Sequence, residues 1–326
     1  MTCHVCVVVH TPAHSQVSGP LTYGSVQPLA PGTLVRVPLG KRETLGVVWD
    51  TDPHAPPPPD SMDVKPVASV LDALAPLPAA WRELVAFSAR YYQRSLGEVA
   101  LAALPPQLRD LGVEQLARRL KRMKETPPAA PNTTDLIALS AEQQSAIGQF
   151  DAENGPFLLF GATGSGKTEV YLRCVQRVLD ADPAAQALVM VPEINLTPQL
   201  EARFQARFGA ERVVSIHSGM THPQRLRSWL AAHSGAARIV LGTRMAVFAS
   251  MPGLRLIIVD EEHDPSYKQQ EGARYSARDL AVYRGRLEGA KVMLGSATPS
   301  LESWHHSRPA AEGGRYVRLS MPSRIG

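Results

Sequence analysis

An apolar run at 157–160 leads into Gly161, Ala162, Thr163, Gly164, Ser165, Gly166, Lys167 and Thr168, then into Glu169-Val-Tyr-Leu-Arg-Cys-Val, which can continue as a helix. No other feature constrains the fold as much. The pattern G-x-x-x-x-G-K-[ST] between a strand and a helix is that of a phosphate-cradling loop. Glycines let the backbone approach phosphate closely, and the loop N–H groups and helix N-terminus favour anionic oxygens. Lys167 is expected to reach the β- and γ-phosphates of a nucleotide, and Thr168 to ligate Mg²⁺.

The surrounding sequence fits an α/β lobe. Strand signals at 157–160, 187–191, 213–216, 238–241, 256–260 and 292–294 alternate with helical segments, the signature of a parallel sheet covered on both faces. A second acidic element is expected at the end of another strand, at the sheet's carboxyl edge. The apolar run ending in Asp260 and Glu261 supplies it. Asp260 is expected to hold Mg²⁺, and Glu261 to orient and deprotonate an attacking water.

Residues 1 to about 75 read as β-rich, with β-branched runs at 4–9, 34–37 and 45–49 bounded by Gly and Pro. Helical spacing follows: Trp81, Leu84, Val85, Ser88 and Ala89 share one face. Pro-rich segments at 53–59 and 126–132 read as an extended loop and as an interdomain linker. Arg118, Arg119, Lys121, Arg122 and Lys124 cluster before that linker; a solvated helix face is the leading reading, a phosphate-contacting patch the alternative. The expected units are therefore 1–105, a basic and Pro-rich linker at 106–138, and 139–326.

Composition narrows the classes. With 44% hydrophobic and 20% charged residues the chain is globular, and no apolar run approaches the ~20 residues that cross a bilayer. The first ten residues lack the basic and apolar regions of a signal peptide. Three cysteines fit a reducing cytoplasm and no disulfide framework. A charge of +4 permits nucleic acid as partner without establishing it. Cys3 and Cys6 lie too close to His10 and His14 for a zinc finger, so zinc is not expected, and Cys174 is read as packing on the helix after the loop.

Asp260-Glu-Glu-His263 and Gly295-Ser-Ala-Thr-Pro299 are similar to motifs II and III of superfamily 2 helicases, and 192–198 and 242–244 to motifs Ia and Ib. The strings GATGSGKTEVYL, ALVMVPEINLTPQ, DEEHDPSYKQQEGARYSARDLAVYR and GSATPSLES resemble the PriA family of bacterial replication-restart helicases. VRVPLGKRETLGVV and YYQRSLGEVALAALP resemble that family's DNA-binding domain. The resemblance implies a RecA-like motor lobe behind a small β-rich DNA-binding domain with helices. It also implies an ATP-dependent 3′-to-5′ helicase acting in replication restart and primosome assembly, in a bacterial cytoplasm near the nucleoid. Forked or single-stranded DNA, primosome proteins and single-strand-binding proteins are the implied partners.

Residue roles follow from the same resemblance. Gln143 stands where the family reads adenine, although Ser140 and Gln143 also have capping-box spacing. His263, Ser296 and Thr298 would couple hydrolysis to movement. Thr197, Thr243 and Arg244 would contact DNA phosphates. Tyr267, Lys268, Arg274 and Tyr275 interleave aromatic and cationic groups as a single-strand sensor does; the competing reading is a polar loop before a helix capped by Ser276. Ala273 stands where the family places tryptophan, which implies weaker stacking. Gly40 and Lys65 match the family's 3′-end pocket, but Leu21 and Thr22 replace its Phe-Asp pair, so no acidic acceptor for a 3′-hydroxyl is expected.

The family's winged-helix domain, zinc module and second motor lobe have no counterpart in the sequence. An ATP site lacking second-lobe arginines is expected to bind nucleotide and hydrolyse it poorly. Two rival readings are a non-enzymatic scaffold that binds ATP and fork DNA, and another superfamily 2 translocase; the latter leaves the N-terminal strings without an account.

Overall fold

The computed structural model describes residues 3–11, 19–50, 64–124 and 137–324. The Pro-rich segments at 53–59 and 126–132, and His14, lie outside the described residues.

Five strands open the chain: β1 (Cys3–Val9), β2 (Leu21–Ser25), β3 (Leu34–Leu39), β4 (Arg42–Val48) and β5 (Ser69–Val70). They form an antiparallel sheet in the order β2-β1-β4-β3-β5. Alternation decides its shape. Val5, Val7, Val9, Val35 and Val37 line the inside of the curl with Tyr23 and Val48. Their sequence neighbours Val8, Leu34 and Val47, together with Leu45 two residues before Val47, face the larger core. Residues 65–67 bring the sheet round on itself, since Gly24 N–H donates to the Lys65 carbonyl at 2.9 Å and Val67 N–H to the Gly24 carbonyl at 2.8 Å. The three-residue separation of Cys3 and Cys6 turns them to opposite faces of β1.

Helix α1 (Ala79–Tyr91) buries the five residues expected from its spacing, Trp81, Leu84, Val85, Ser88 and Ala89. Helix α2 (Leu96–Ala102) starts at Ser95, whose hydroxyl accepts from Glu98 N–H. A Cβ at Gly97 would sit 1.8 Å from the Val9 carbonyl, so only glycine lets α2 lie this close to β1. The stretch read as a linker holds helix α3 (Val113–Lys124) in its first part. Leu108, Leu111 and Leu116 are buried there, and the Arg36 guanidinium binds the carbonyls of Leu108, Arg109 and Leu111. Arg118 and Lys121 are exposed on α3, and Arg118 forms an i,i+4 pair with Glu114 at 3.3 Å.

The second unit is a doubly covered parallel sheet. Along the chain run α4 (Ala141–Ala152), β6 (Phe157–Gly161), α5 (Lys167–Ala181), β7 (Gln186–Met190), α6 (Pro198–Phe208), β8 (Val213–Ile216) and α7 (His222–His233). After them come β9 (Ile239–Gly242), β10 (Leu254–Val259), α8 (Ala277–Glu288), β11 (Lys291–Ser296), α9 (Leu301–His306) and β12 (Val317–Met321). The strand order is β12-β6-β11-β10-β7-β9-β8, parallel throughout. The expected strands are all present; β12, at the edge, is an addition. Placing β11 between β6 and β10 brings three strand ends, at Gly161, Ser296 and Val259, to one edge of the sheet.

The two units share a core, with Leu34, Leu45 and Trp81 in the same buried cluster as Leu188, Val240 and Ile257. His233 ties them as well. Its Nε2 lies 2.9 Å from the Ala75 carbonyl and its Nδ1 2.9 Å from Ser250 Oγ. A carbonyl only accepts, so Nε2 carries the proton and Nδ1 accepts from the serine. Burial pushes this imidazole below its ordinary pKa, with the Ala75 bond opposing. The unfolded chain therefore takes up the proton first as the pH falls from about 6.5, and stability is lost on the acid side, by up to about 1.4 kcal/mol per pH unit. His233→Gln is expected to flatten this loss between pH 7 and pH 5, as measured by urea unfolding at each pH.

Candidate nucleotide site and DNA-side elements

The loop at 161–168 turns through Gly164 and Gly166, with φ of +84° and +79°. It ends on the N-terminus of α5, whose first residue is Lys167. Lys167 is 9% exposed; its Nζ donates to the Gly161 carbonyl at 3.0 Å and lies 3.7 Å from Glu261 Oε1. Residues 162–168 with Asp260 and Glu261 line a cleft of about 400 Å³. Among the described residues, the Ser165 hydroxyl is buried without a hydrogen-bond partner at the base of the loop. Turned glycines, one cation and an unsatisfied hydroxyl facing two carboxylates suit a phosphate chain with a divalent cation. Thr168 and Asp260 both line this cleft.

Asp260 is set by two buried tyrosines. Tyr171, on α5, donates its hydroxyl to Asp260 Oδ1 at 2.7 Å. Burial, aided by the Asp260 charge, pushes the Tyr171 hydroxyl well above its ordinary pKa, so it remains a donor. Burial likewise raises the Asp260 carboxyl, and the Tyr171 bond pulls it back. A Cβ at residue 295 would fall 1.7 Å from Tyr171 Oη, so Gly295 makes room for this contact. Loss of a hydrogen bond to a charged group costs about 1.5–3 kcal/mol. Tyr171→Phe is therefore expected to weaken Mg²⁺-dependent nucleotide binding by about tenfold or more, read by titration with a fluorescent ATP analogue.

Tyr267 is a correction to the sequence reading. It is 3% exposed, and its hydroxyl lies 3.0 Å from the Met190 carbonyl and 2.6 Å from that of Asp260. A ring so placed supports the acidic strand end and offers no face for a base to stack on. The Asp264 side chain, which accepts from Ser266 N–H, turns the chain inward there.

Gln143 forms the capping box that its spacing allows. Both features of the capping box are present: Ser140 Oγ accepts from Gln143 N–H, and Gln143 Oε1 from Ser140 N–H at 2.9 Å. Its Nε2 donates to the Gly166 carbonyl at 3.3 Å, and the side chain is 2% exposed. Gln143 thus joins α4 to the phosphate loop.

His263, Ser296 and Thr298 are brought together. His263 Nδ1 lies 2.8 Å from Ser296 Oγ and 3.7 Å from Glu261 Oε2. Its Nε2 is 3.3 Å from Thr298 Oγ1, and Thr298 N–H donates to Ser296 Oγ. The residue between Glu261 and His263, unassigned from sequence, is the more deeply buried. Glu262 is 1% exposed and accepts from Ser300 N–H at 2.7 Å, Ser303 Oγ at 2.9 Å and Arg278 Nη1 at 3.3 Å.

The residues expected from sequence to face DNA divide between the units. Thr197 caps α6, accepting from Leu200 N–H. Thr243 is buried, while the Arg244 guanidinium binds Gln269 Oε1 at 2.6 Å and the Ser266 carbonyl at 3.2 Å. Lys268 and Arg274 are exposed, and Tyr275 packs edge-on against Phe248. Burial pushes the Tyr275 hydroxyl up to about 12. A second cavity, of about 460 Å³ and largely apolar, opens between α2 and these elements, with Thr243, Arg244 and Tyr275 in its wall. Gly40, with φ +63°, sits at the β3–β4 turn and Lys65 is exposed beside β2. Leu21 and Thr22 are half-buried at the start of β2.

Comparison with known proteins agrees with this architecture. Residues 114–306 match the DEAD/DEAH box helicase family, and residues 6–105 match the 3′ DNA-binding domain (3′BD) described for PriA. The replication restart protein PriA of Haemophilus influenzae is 35% identical over 366 aligned residues, covering 90% of this chain and 49% of that protein. Its namesake in Bacillus subtilis is 42% identical over 197 residues, covering 59% of this chain and 24% of that protein. That of Chlamydia pneumoniae is 46% identical over 192 residues, covering 57% and 25%. The chain spans about half the length of the Haemophilus relative. It belongs to the DEAD/DEAH box helicase family, and its residues 6–105 carry the 3′ DNA-binding domain described for PriA, as an N-terminal portion of such a protein does.

Proposed function

We propose that the chain is the nucleotide-binding part of an ATP-dependent, 3′-to-5′ DNA helicase that acts on stalled forks in replication restart and primosome assembly. The observation that carries this reading is Lys167 Nζ standing 3.7 Å from Glu261 Oε1 across one cleft, at the ends of β6 and β10. Lys167 would exchange its contact with the Gly161 carbonyl for β- and γ-phosphate oxygens. Glu261 would hold the attacking water in line with the γ-phosphate and take its proton. Mg²⁺, when bound through Thr168 and Asp260, would neutralise charge on the phosphates. His263 would sense the state of Glu261 and pass it to Ser296 and Thr298.

Forked or single-stranded DNA is the proposed polymer partner, with Lys268 and Arg274 offering exposed cations and the N-terminal unit taking the fork. Primosome and single-strand-binding proteins are proposed partners by the sequence resemblance alone, and the bacterial cytoplasm is the proposed setting. Among the described residues, no helix is long and apolar enough to cross a membrane.

ATP hydrolysis by the 326-residue chain, with and without a forked duplex and beside Lys167→Ala, tests the reading. DNA-stimulated turnover that Lys167→Ala abolishes supports a motor. Nucleotide binding without DNA-stimulated turnover, both alone and when the arginines of a second motor lobe are supplied in trans, would favour the scaffold reading instead.

A further inference from the structure

Cationic and aromatic side chains gather where α9 ends and β12 begins, on a part of the lobe that the nucleotide cleft does not use. Trp304, on α9, is 40% exposed, and the Arg318 guanidinium lies 3.7 Å from the centre of its ring. Arg318 Nε donates to Ser307 Oγ at 2.9 Å, which holds the guanidinium in that position. Phe160 meets the same indole at a steep angle, with ring centres 5.3 Å apart. The other three tryptophans, Trp49, Trp81 and Trp229, are buried.

The cations around the indole lack acidic partners. Arg308 Nη1 lies 2.9 Å from His305 Nδ1, and Arg315 N–H donates to the His306 carbonyl at 2.7 Å. Among the described residues, Arg308, Arg315 and Arg318 form no ion pair, although Glu302 and Glu312 lie on the same stretch of chain. Arg308 Nε is buried there without a hydrogen-bond partner. Burial, and then the charges of Arg315, His305 and Arg308, hold the His306 imidazole below its ordinary pKa, with Glu302 opposing. Like charges this close repel one another, and a bound polyanion relieves that repulsion.

The aromatic component says which polyanion fits. Bases stack on indole rings and on guanidinium planes while phosphates pair with flanking arginines, so a single strand of nucleic acid meets both features. An acidic peptide supplies charge alone and leaves the Trp304–Arg318 stack unused. A duplex hides the faces of its bases. Arg315 stands just before β12, whose Val317 pairs with Phe157 at the start of β6. The phosphate loop leaves the other end of β6, so Arg315 and that loop lie at opposite edges of the sheet.

We propose that the α9–β12 surface is a further contact for single-stranded DNA, with a base stacked on Trp304 and Arg318 and phosphates held by Arg308 and Arg315. It lies apart from Lys268 and Arg274 in the chain and does not depend on the ATP cleft. It rests on the proposed reading that DNA is the polymer partner.

The test follows tryptophan emission of the full chain, without nucleotide, as an oligothymidylate of about 12 nucleotides is added. Anisotropy of a dye on the same oligonucleotide reports total binding. Stacking is expected to quench the emission, and Trp304→Phe to abolish the quench without lowering the melting temperature. Arg315→Glu keeps the indole as reporter. It should shift the quenching midpoint by about tenfold and reduce the slope of log affinity against log salt by about 0.7. A quench that survives Trp304→Phe, or a midpoint unmoved in Arg315→Glu, would overturn the proposal. So would an equal quench by a blunt duplex, or by polyglutamate at the same charge concentration. Anisotropy that rises while the emission stays constant overturns this surface and leaves DNA standing as the partner. An oligonucleotide that does not bind at all overturns both the surface and the single-strand part of the partner reading.

Discussion

Trp81→Ala is expected to destabilise the protein by about 3–5 kcal/mol, the range for removing a fully buried large aromatic residue. Trp81 is 1% exposed and lies where the cores of the two units merge. Its indole N–H donates to the Phe248 carbonyl at 2.8 Å. Truncation leaves a cavity and an unpaired carbonyl at the end of the 3-10 turn Arg244–Phe248, which starts directly after Thr243. The N-terminal unit should loosen from the lobe, visible as a lower unfolding midpoint in denaturant. Trp81→Phe, which keeps most of the ring, should cost far less. A loss below about 1 kcal/mol for Trp81→Ala would contradict the shared core described above.

The second large effect is expected at Lys167. Its ammonium is nearly buried, with one carbonyl and one carboxylate in reach. A cation so placed is worth most to a bound polyanion, because water screens it little. Removing one partner of a buried, charge-assisted hydrogen bond costs about 2–5 kcal/mol. Lys167→Ala should therefore weaken ATP binding by about 30-fold or more, since each 1.4 kcal/mol is tenfold. Calorimetric titration measures this directly, and circular dichroism should show the fold retained. An affinity within about threefold of wild type would remove Lys167 from the site.

The sequence carried the framework of this site but not its support. Strands such as 157–160 and 256–260 are readable because both faces of a parallel sheet are covered, which leaves an unbroken apolar run. The α1 stripe is readable because one helical face repeats every three to four residues. Strand β12 is not, because its buried Leu319 and Met321 alternate with Arg318 and Ser320 at the sheet edge. Strand β2 holds a glycine and three hydroxyl residues, and only its partners β1 and residues 65–67 define it.

Long-range partners explain the remaining differences. Tyr267 sits beside Lys268 in a string that reads as a DNA-contacting loop, yet its hydroxyl meets a carbonyl 77 residues upstream. Glu262 looks like one more acid in an exposed turn, while its donors lie 16, 38 and 41 residues away. Tyr171 reads as part of the apolar face of α5, and its bond to Asp260 spans 89 residues. Periodicity and motif spacing report what the backbone does locally; they carry no signal for side chains that meet only after the sheet has formed.

The measurement that most directly tests the central claim is equilibrium binding of ATP to this chain with and without Mg²⁺, beside Asp260→Asn. If residues 161–168 and the acidic strand end form one Mg²⁺–nucleotide site, Mg²⁺ should tighten wild-type binding by about tenfold or more. Asp260→Asn should lose most of that gain while keeping the Mg²⁺-free affinity. Binding that ignores Mg²⁺, or a gain that survives Asp260→Asn, would contradict the site described here.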